Sequence, residues 1–94
     1  MQYYVYILFS KPNGTLYIGV TSNLIQRIAQ HKAKYFSGFT AKYDVNNLGY
    51  YEIYDNVEEA IKREKKLKGS SRQRKINLII SKNPELHDLY DELF

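Results

Sequence analysis

The N-terminal part of the chain carries the pattern that most restricts its fold. Two apolar segments, residues 3–9 (YYVYILF) and 16–21 (LYIGVT), flank a Pro-Asn-Gly turn sequence at 12–14. Asn and Gly tolerate the positive φ of tight turns, so the pattern predicts a β-hairpin. A connection of two or four residues would place Leu8 opposite Gly19, whereas three residues would break that register. Both faces of the first strand are apolar, which is typical of a sheet covered on both sides.

Tyrosine is unusually frequent, with 10 Tyr in 94 residues. A buried Tyr needs a hydrogen-bond partner for its hydroxyl. With an even connection, four hairpin residues share one face of the sheet: Tyr6, Tyr17, Gly19 and Thr21. Since glycine lacks a side chain, we expect Gly19 to let a ligand or another backbone come close. The alternative is that the aromatic rings fill the core, because they have a high β-propensity.

The rest of the chain predicts one further strand and three helices. The predicted elements are a helix from Thr21-Ser22 to about Lys34, a loop at 35–47 that contains a short ordered turn (GFTAKY), a strand at 48–54, a helix at 57–68 that stops at Gly69, and a helix from Ser70-Ser71 to about Lys82 that Asn83-Pro84 ends. The order β-β-α-β-α-α predicts an α+β fold, a small three-stranded antiparallel sheet flanked by helices. We expect one domain spanning residues 1–94.

Composition excludes several classes of protein. Without Cys there are no disulfides, no thiolate nucleophile and no Cys-based zinc site. A formal net charge of +4 favours polyanionic partners. The sequence shows no signal-peptide pattern and no apolar run near ~18 residues, so we expect a cytoplasmic protein that does not enter a membrane.

The first predicted helix carries Arg27 and His31, which lie on one face because they are four residues apart. An Arg offers a bidentate fork for a phosphate, and a His transfers protons near neutral pH. The alternative is a surface pair without a function.

Glu64 stands out because it belongs to the apolar stripe of its helix. That stripe follows helical spacing and comprises Val57, Ala60, Ile61, Glu64 and Leu67. Burying a carboxylate costs several kcal/mol unless a cation or donor compensates. Two compensations are open: a divalent metal such as Mg²⁺, or an ion pair with an Arg, for example Arg27.

Residues 62–75 form a basic run in which Glu64 is the one acid. Its eight cationic residues are Lys62, Arg63, Lys65, Lys66, Lys68, Arg72, Arg74 and Lys75. Such runs bind phosphate backbones without reading sequence. The run therefore predicts a nucleic-acid surface, and the alternative is a solvated helix face.

Together these motifs resemble the GIY-YIG nuclease domain. Tyr4-Val5-Tyr6 stands where that family has Gly-Ile-Tyr, and Tyr17-Ile18-Gly19 matches Tyr-Ile-Gly. Arg27 and His31 fall where the family has an Arg and often a His, and Glu64 matches its metal-binding glutamate. The resemblance covers nearly the whole chain, and the C-terminal segment is similar to small stand-alone bacterial members.

Two positions depart from the family pattern. Tyr4 replaces the opening Gly of the first motif. The family often has an Asn after the glutamate, for which Asn77 is the candidate. Asn83 competes for that role but is better explained as a helix terminator.

The resemblance implies a DNA endonuclease that hydrolyses phosphodiester bonds with Mg²⁺ or Mn²⁺. It implies that Tyr6 helps take the proton of the attacking water, and that Tyr17 binds or orients the phosphate or a metal-bound water. Arg27 would stabilise developing charge and Glu64 would hold the metal. His31 would shuttle a proton, anchor the Tyr6 phenol, or replace Tyr6 as the base. Gly19 and Asn77 join the basic run as expected nucleic-acid contacts.

No base-reading module is visible in the sequence, so selectivity would come from DNA structure, from a homodimer or from a partner protein. Repair, recombination and defence all remain open as pathways. One alternative function is an inactive nucleic-acid-binding module on the same scaffold, and another is a protein-interaction domain with a Tyr-rich surface.

Overall fold

The computed structural model describes residues 1–36 and 38–94. Its elements are β1 (Tyr3–Phe9), β2 (Leu16–Thr21), α1 (Leu24–Lys32), α2 (Phe39–Lys42), β3 (Asn47–Tyr54), α3 (Val57–Lys68), α4 (Arg72–Lys82) and a 3₁₀ helix (Leu89–Leu93). This confirms the predicted α+β arrangement, and α2 confirms the short ordered turn (GFTAKY) predicted inside the loop at 35–47. Residue 37 of that loop lies outside the described residues.

The sheet is antiparallel throughout, with β1 between β2 and β3. Tyr6 lies opposite Gly19 and Leu8 opposite Tyr17, so the predicted pairing of Leu8 with Gly19 was wrong by two residues. The cause is the turn, which is centred on Pro12-Asn13: Gly14 N–H donates to Lys11 O at 2.8 Å, and Asn13 adopts a φ of 62°. The connection still has an even length, so the predicted shared face is confirmed.

Helices cover both faces of the sheet, as the two-sided apolar pattern of β1 predicts. One face carries Val5 and Ile7, and α3 and α4 pack on it through Ala60, Leu67 and Ile79. The other face carries Tyr6 and Leu8, against which α1 and the 3₁₀ helix pack through Leu24, Ile28, Leu89 and Leu93. The helix α1 therefore lies on the opposite face of the sheet from α3 and α4.

Side-chain caps mark the ends of the helices. Asn23, rather than Thr21-Ser22, caps α1, because its Oδ1 accepts the Gln26 N–H at 3.1 Å. The predicted bounds of α3 are confirmed. Asn83 ends α4 as predicted, and its buried side chain donates to Gly49 O at 3.2 Å and to His87 O at 2.7 Å.

Across residues 1–36 and 38–94, every helix is too short or too polar to cross a membrane.

Candidate active site

Tyr6 is completely buried, and its ring fills the space above Gly19 on the neighbouring strand. A Cβ added at Gly19 would lie 2.4 Å from the Tyr6 Oη and 2.5 Å from its Cζ. Gly19 therefore makes room for the phenol of Tyr6. This corrects the prediction that it leaves room for a ligand or another backbone.

A chain of three polar side chains begins at Tyr6. The Tyr6 Oη lies 3.3 Å from the Nε2 of His31, and the Nδ1 of His31 lies 3.2 Å from the Oγ1 of Thr40. All three side chains are buried. The chain thus joins β1, α1 and α2. Thr40 was missed by sequence reasoning, because α2 is a single turn and too short for a periodic pattern to mark its buried residue.

The protonation states of this chain follow from burial. Burial raises the pKa of Tyr6 to about 12, with a further rise from the Tyr17 phenol that Arg27 only partly offsets. Burial, helped by the charge of Arg27, lowers the pKa of His31 from 6.5. At neutral pH Tyr6 therefore keeps its proton and His31 is uncharged. Arg27 lowers the pKa of Tyr6, but by too little to overcome the effect of burial.

A cleft of about 270 Å³ opens beside His31. Its lining residues are Tyr17, Arg27, His31, Phe36, Phe39 and Thr40. The rings of Tyr17 and His31 lie 5.6 Å apart between centroids, and the Arg27 guanidinium carbon lies 5.5 Å from the Phe36 centroid. The structure therefore brings together Tyr17, Arg27 and His31, as the sequence predicts, and adds two phenylalanines that it did not.

Glu64 lies at the margin of the buried face of α3. Its side chain is 15% exposed, whereas Val57 and Ile61, which the stripe pattern placed beside it, are 42% and 38% exposed. Glu64 does not line the cleft, because α3 packs on the other face of the sheet, but its charge makes a small contribution to the raised pKa of Tyr6. The carboxylate pairs with Lys68 Nζ at 3.3 Å. The suggested ion pair with Arg27 was wrong.

A divalent metal fits Glu64 as a single-carboxylate site. Among residues 1–36 and 38–94, no group of three or more His, Asp or Glu side chains could enclose an ion. Mg²⁺, however, commonly binds one or two carboxylates and completes its shell with water and substrate phosphate. Lys68 is 53% exposed, and such an ion pair is weak, so the ammonium moves away at little cost. Metal binding at Glu64 stays a prediction.

Arg63, next to Glu64, is bound to β3. Its Nε and Nη2 each donate to a carboxylate oxygen of Glu52 at 2.9 Å, and the hydroxyls of Tyr50 and Tyr54 donate to the same carboxylate at 2.6 and 2.7 Å. Burial alone would raise the pKa of Glu52, but these hydrogen bonds outweigh it and lower the pKa. The guanidinium of Arg63 is therefore engaged within the fold, which corrects its assignment to the nucleic-acid surface.

Most of the other basic residues of the run are exposed. Arg72 donates to Gly14 O of the hairpin, and Lys75 is half-buried beside it. The exposed members are Lys62, Lys65, Lys66, Lys68, Arg72 and Arg74. Lys68 pairs with Glu64, and all six stay candidates for phosphate contacts.

Asn77 is exposed and accepts from Gln73 Nε2 at 2.9 Å. It lies in a groove of about 580 Å³ between α3 and α4 with Lys66 and Arg74. Because α4 packs on the opposite face of the sheet from α1, the structure does not bring Asn77 to the cleft of Tyr17 and Arg27.

The sequence profile of the GIY-YIG catalytic domain matches residues 2–77. The chain belongs to the GIY-YIG family. Family membership supports a nuclease role. The family motifs named in the sequence analysis include Tyr6, Tyr17, Arg27, His31 and Glu64.

Other GIY-YIG-type relatives of similar size resemble the chain along most of its length. A UPF0213 protein of Staphylococcus haemolyticus is 38% identical over 83% of this chain and 94% of its own. One of Clostridium perfringens is 39% identical over 85% of each. The solution NMR structure of a UPF0213 protein from Bacillus halodurans is 30% identical, with a TM-score of 0.58 over 94% of this chain and 93% of that one. These likenesses confirm the predicted fold and the similarity to small stand-alone members.

Proposed function

We propose that this GIY-YIG chain is a metal-dependent DNA endonuclease with little sequence specificity of its own. The observation that carries the proposal is the chain Tyr6–His31–Thr40, which ends at the same cleft that holds Tyr17 and Arg27. The cleft offers a cation for a phosphate and an uncharged imidazole for a proton. Both are needed for hydrolysis of a phosphodiester.

Tyr6 and His31 act in this proposal as one proton-transfer pair. Tyr6 stays protonated at neutral pH and is fully enclosed, whereas His31 is uncharged and lines the cleft. The Thr40 hydroxyl, which lines the cleft, takes the proton of the attacking water as it passes its own proton to Nδ1 of His31, while the Nε2–H of His31 donates to Tyr6. The hydrogen bonds of Tyr6 and Thr40 to its two nitrogens hold the ring in place. This assignment chooses His31 over Tyr6 as the final proton acceptor.

The remaining residues act on the phosphate. Arg27 stabilises the charge that develops on the phosphoryl oxygens, and the Tyr17 hydroxyl orients the phosphate in the cleft. Glu64 would hold a divalent metal, whose positive charge would polarise the phosphate and assist departure of the leaving oxygen.

A plasmid nicking assay tests metal dependence. We expect supercoiled plasmid to be converted to the nicked form in Mg²⁺ or Mn²⁺, to stay intact in EDTA, and to be nicked again when the metal is restored. The reason is that the Glu64 carboxylate brings positive charge to the phosphate only through a bound metal. Nicking that persists in EDTA would contradict the metal requirement.

The lone carboxylate and its ion pair with Lys68 favour one alternative, a nucleic-acid-binding module without turnover. Binding at low salt, with no cleavage of plasmid, duplex, flapped or single-stranded DNA in either metal, would establish that alternative instead.

The rate of nicking should rise with pH through the pKa of His31. Acid protonates the imidazole and removes the proton acceptor, so activity falls as pH drops below that pKa. Because burial lowers the pKa from 6.5, the midpoint of the acid limb should lie below 6.5. His31→Gln should lose this limb and about 10²–10⁴-fold in rate. The measurement is the single-turnover rate against pH in saturating Mg²⁺, and an unchanged acid limb in the variant would exclude His31 as the acceptor.

A further inference from the structure

Four aromatic side chains from between α1 and β3 lie at or beside the cleft: two line it, and each of the other two packs on one of these. We call Tyr35, Phe36, Phe39 and Tyr43 the aromatic rim. Tyr35 is 68% exposed, Phe39 50% and Tyr43 48%, and Phe36 is half-buried. A contiguous exposed aromatic patch marks an interaction site more often than single exposed rings do.

The rim is continuous with the candidate active site. Phe36 and Phe39 line the cleft that contains Tyr17 and Arg27, and the Phe36 ring lies 5.0 Å from the His31 ring. Towards solvent, the rings form two pairs. The centroids of Phe39 and Tyr43 are 5.1 Å apart, and those of Tyr35 and Phe36 are 5.4 Å apart. A ligand whose phosphate lies against Arg27 would therefore have the rim directly beside it.

Cations accompany each pair of rings. Arg27 lies over Phe36, and Lys42 Nζ lies 5.4 Å from the Tyr43 centroid. Lys34 is the next cation of the segment, and it pairs with Asp44, but both side chains are more than half exposed, so the pair is weak. Aromatic rings interleaved with cations are typical of surfaces that bind single-stranded nucleic acid, where bases stack on rings and phosphates meet the charges.

We propose that the aromatic rim stacks unpaired nucleobases that flank the phosphate held in the cleft, so that the preferred substrate is DNA with a single-stranded segment at the cut site. This inference rests on the proposed nuclease function, and it narrows the substrate from DNA in general to DNA with unpaired bases at the cut site. In a paired duplex the faces of the bases are covered by their neighbours and are closed to protein rings. Only an unpaired base presents a face to Phe39 or Tyr43.

Binding in EDTA, where no cleavage is expected, separates stacking from chemistry. The probes are fluorescein-labelled DNA of three forms: a single strand, a fork with single-stranded arms, and a blunt duplex. We expect Phe39→Ala to weaken binding to the first two by about tenfold, the size of one lost base–aromatic contact, and to change binding to the blunt duplex by less than about twofold. The loss should persist at raised salt, because stacking releases no counterions.

Two variants control for loss of structure. Phe39→Trp keeps a stacking surface and should bind the single strand like the unchanged protein. Phe94→Ala removes an even more exposed ring, 78% exposed, which packs on Tyr90 of the 3₁₀ helix. It should leave all three affinities unchanged.

Equal weakening on the blunt duplex and the single strand, or no weakening on the single strand, would overturn the stacking proposal. The proposed nuclease function fails separately. If Phe39→Ala selectively weakens single-strand binding but no DNA is cut in Mg²⁺ or Mn²⁺, the rim binds bases on a protein that is not a nuclease. If DNA is cut but Phe39→Ala shows no such selectivity, the proposed nuclease function is supported and base stacking by the aromatic rim is excluded.

Discussion

Replacing Gly19 with alanine is expected to destabilise the protein on the order of 3 kcal/mol and to abolish nicking. The added Cβ would lie 2.4–2.5 Å from the Oη and Cζ of Tyr6, far inside van der Waals contact. Tyr6 is fully buried between the sheet and α1, so a shift of its ring has to displace neighbouring core side chains. Any shift also breaks the hydrogen bond to His31. Urea unfolding measures the first effect and the plasmid assay the second.

Two variants show whether this clash is the cause. Gly69→Ala places a Cβ no closer than 3.6 Å to any neighbour, with a φ of −82°, so it should change stability by less than about 0.5 kcal/mol. Adding Tyr6→Leu to Gly19→Ala should recover part of the stability, because the smaller side chain makes room, and the two changes should be strongly non-additive. A Gly19→Ala protein as stable and active as the unchanged chain would mean that the Tyr6 ring has room to shift.

Replacing Glu64 with glutamine is expected to lower metal-dependent nicking by at least about 10³-fold, since the loss of a cation's stabilisation of the phosphate is worth several kcal/mol. The amide keeps the shape of the side chain but loses the charge that holds a cation. Stability should change little, because the ion pair lost with Lys68 is partly exposed and worth at most about 1 kcal/mol. DNA binding in EDTA should be unchanged.

The matched control for Glu64→Gln is Glu59→Gln, on the same helix but exposed in its first turn. It removes the same charge and should nick normally. Single-turnover rates across a Mg²⁺ series distinguish weaker metal binding from slower chemistry. Full activity in Glu64→Gln would place any metal elsewhere and remove this carboxylate from the site.

The hairpin shows what residue pattern alone predicts well. The two-residue period of a strand fixes which side chains share a face, so Tyr6, Tyr17 and Gly19 were correctly placed together. The register was wrong because both Pro12-Asn13 and Asn13-Gly14 are good turn centres, and no short-range signal chooses between them. The ends of α3 were predictable because Asn56 and Gly69 mark them.

Contacts between distant parts of the chain were not predictable. Thr40 and the aromatic rim lie between α1 and β3, in a segment whose position depends on packing against α1. The link between Arg63 and Glu52 joins residues that no periodicity relates. In contrast, Lys68 is four residues after Glu64, a spacing that brings side chains together on any helix. That local signal was available and favours the observed pair over one with Arg27.

The bidentate ion pair between Arg63 and Glu52 also affects the side chain of Glu64. Consecutive residues project about 100° apart around a helix, so a helix held at Arg63 has its rotation set at Glu64 too. The direction of the Glu64 carboxylate is thus set in part by the ion pair between Arg63 of α3 and Glu52 of β3. If Glu64 holds a metal as proposed, replacing Glu52 would weaken metal binding while the cleft residues stay intact.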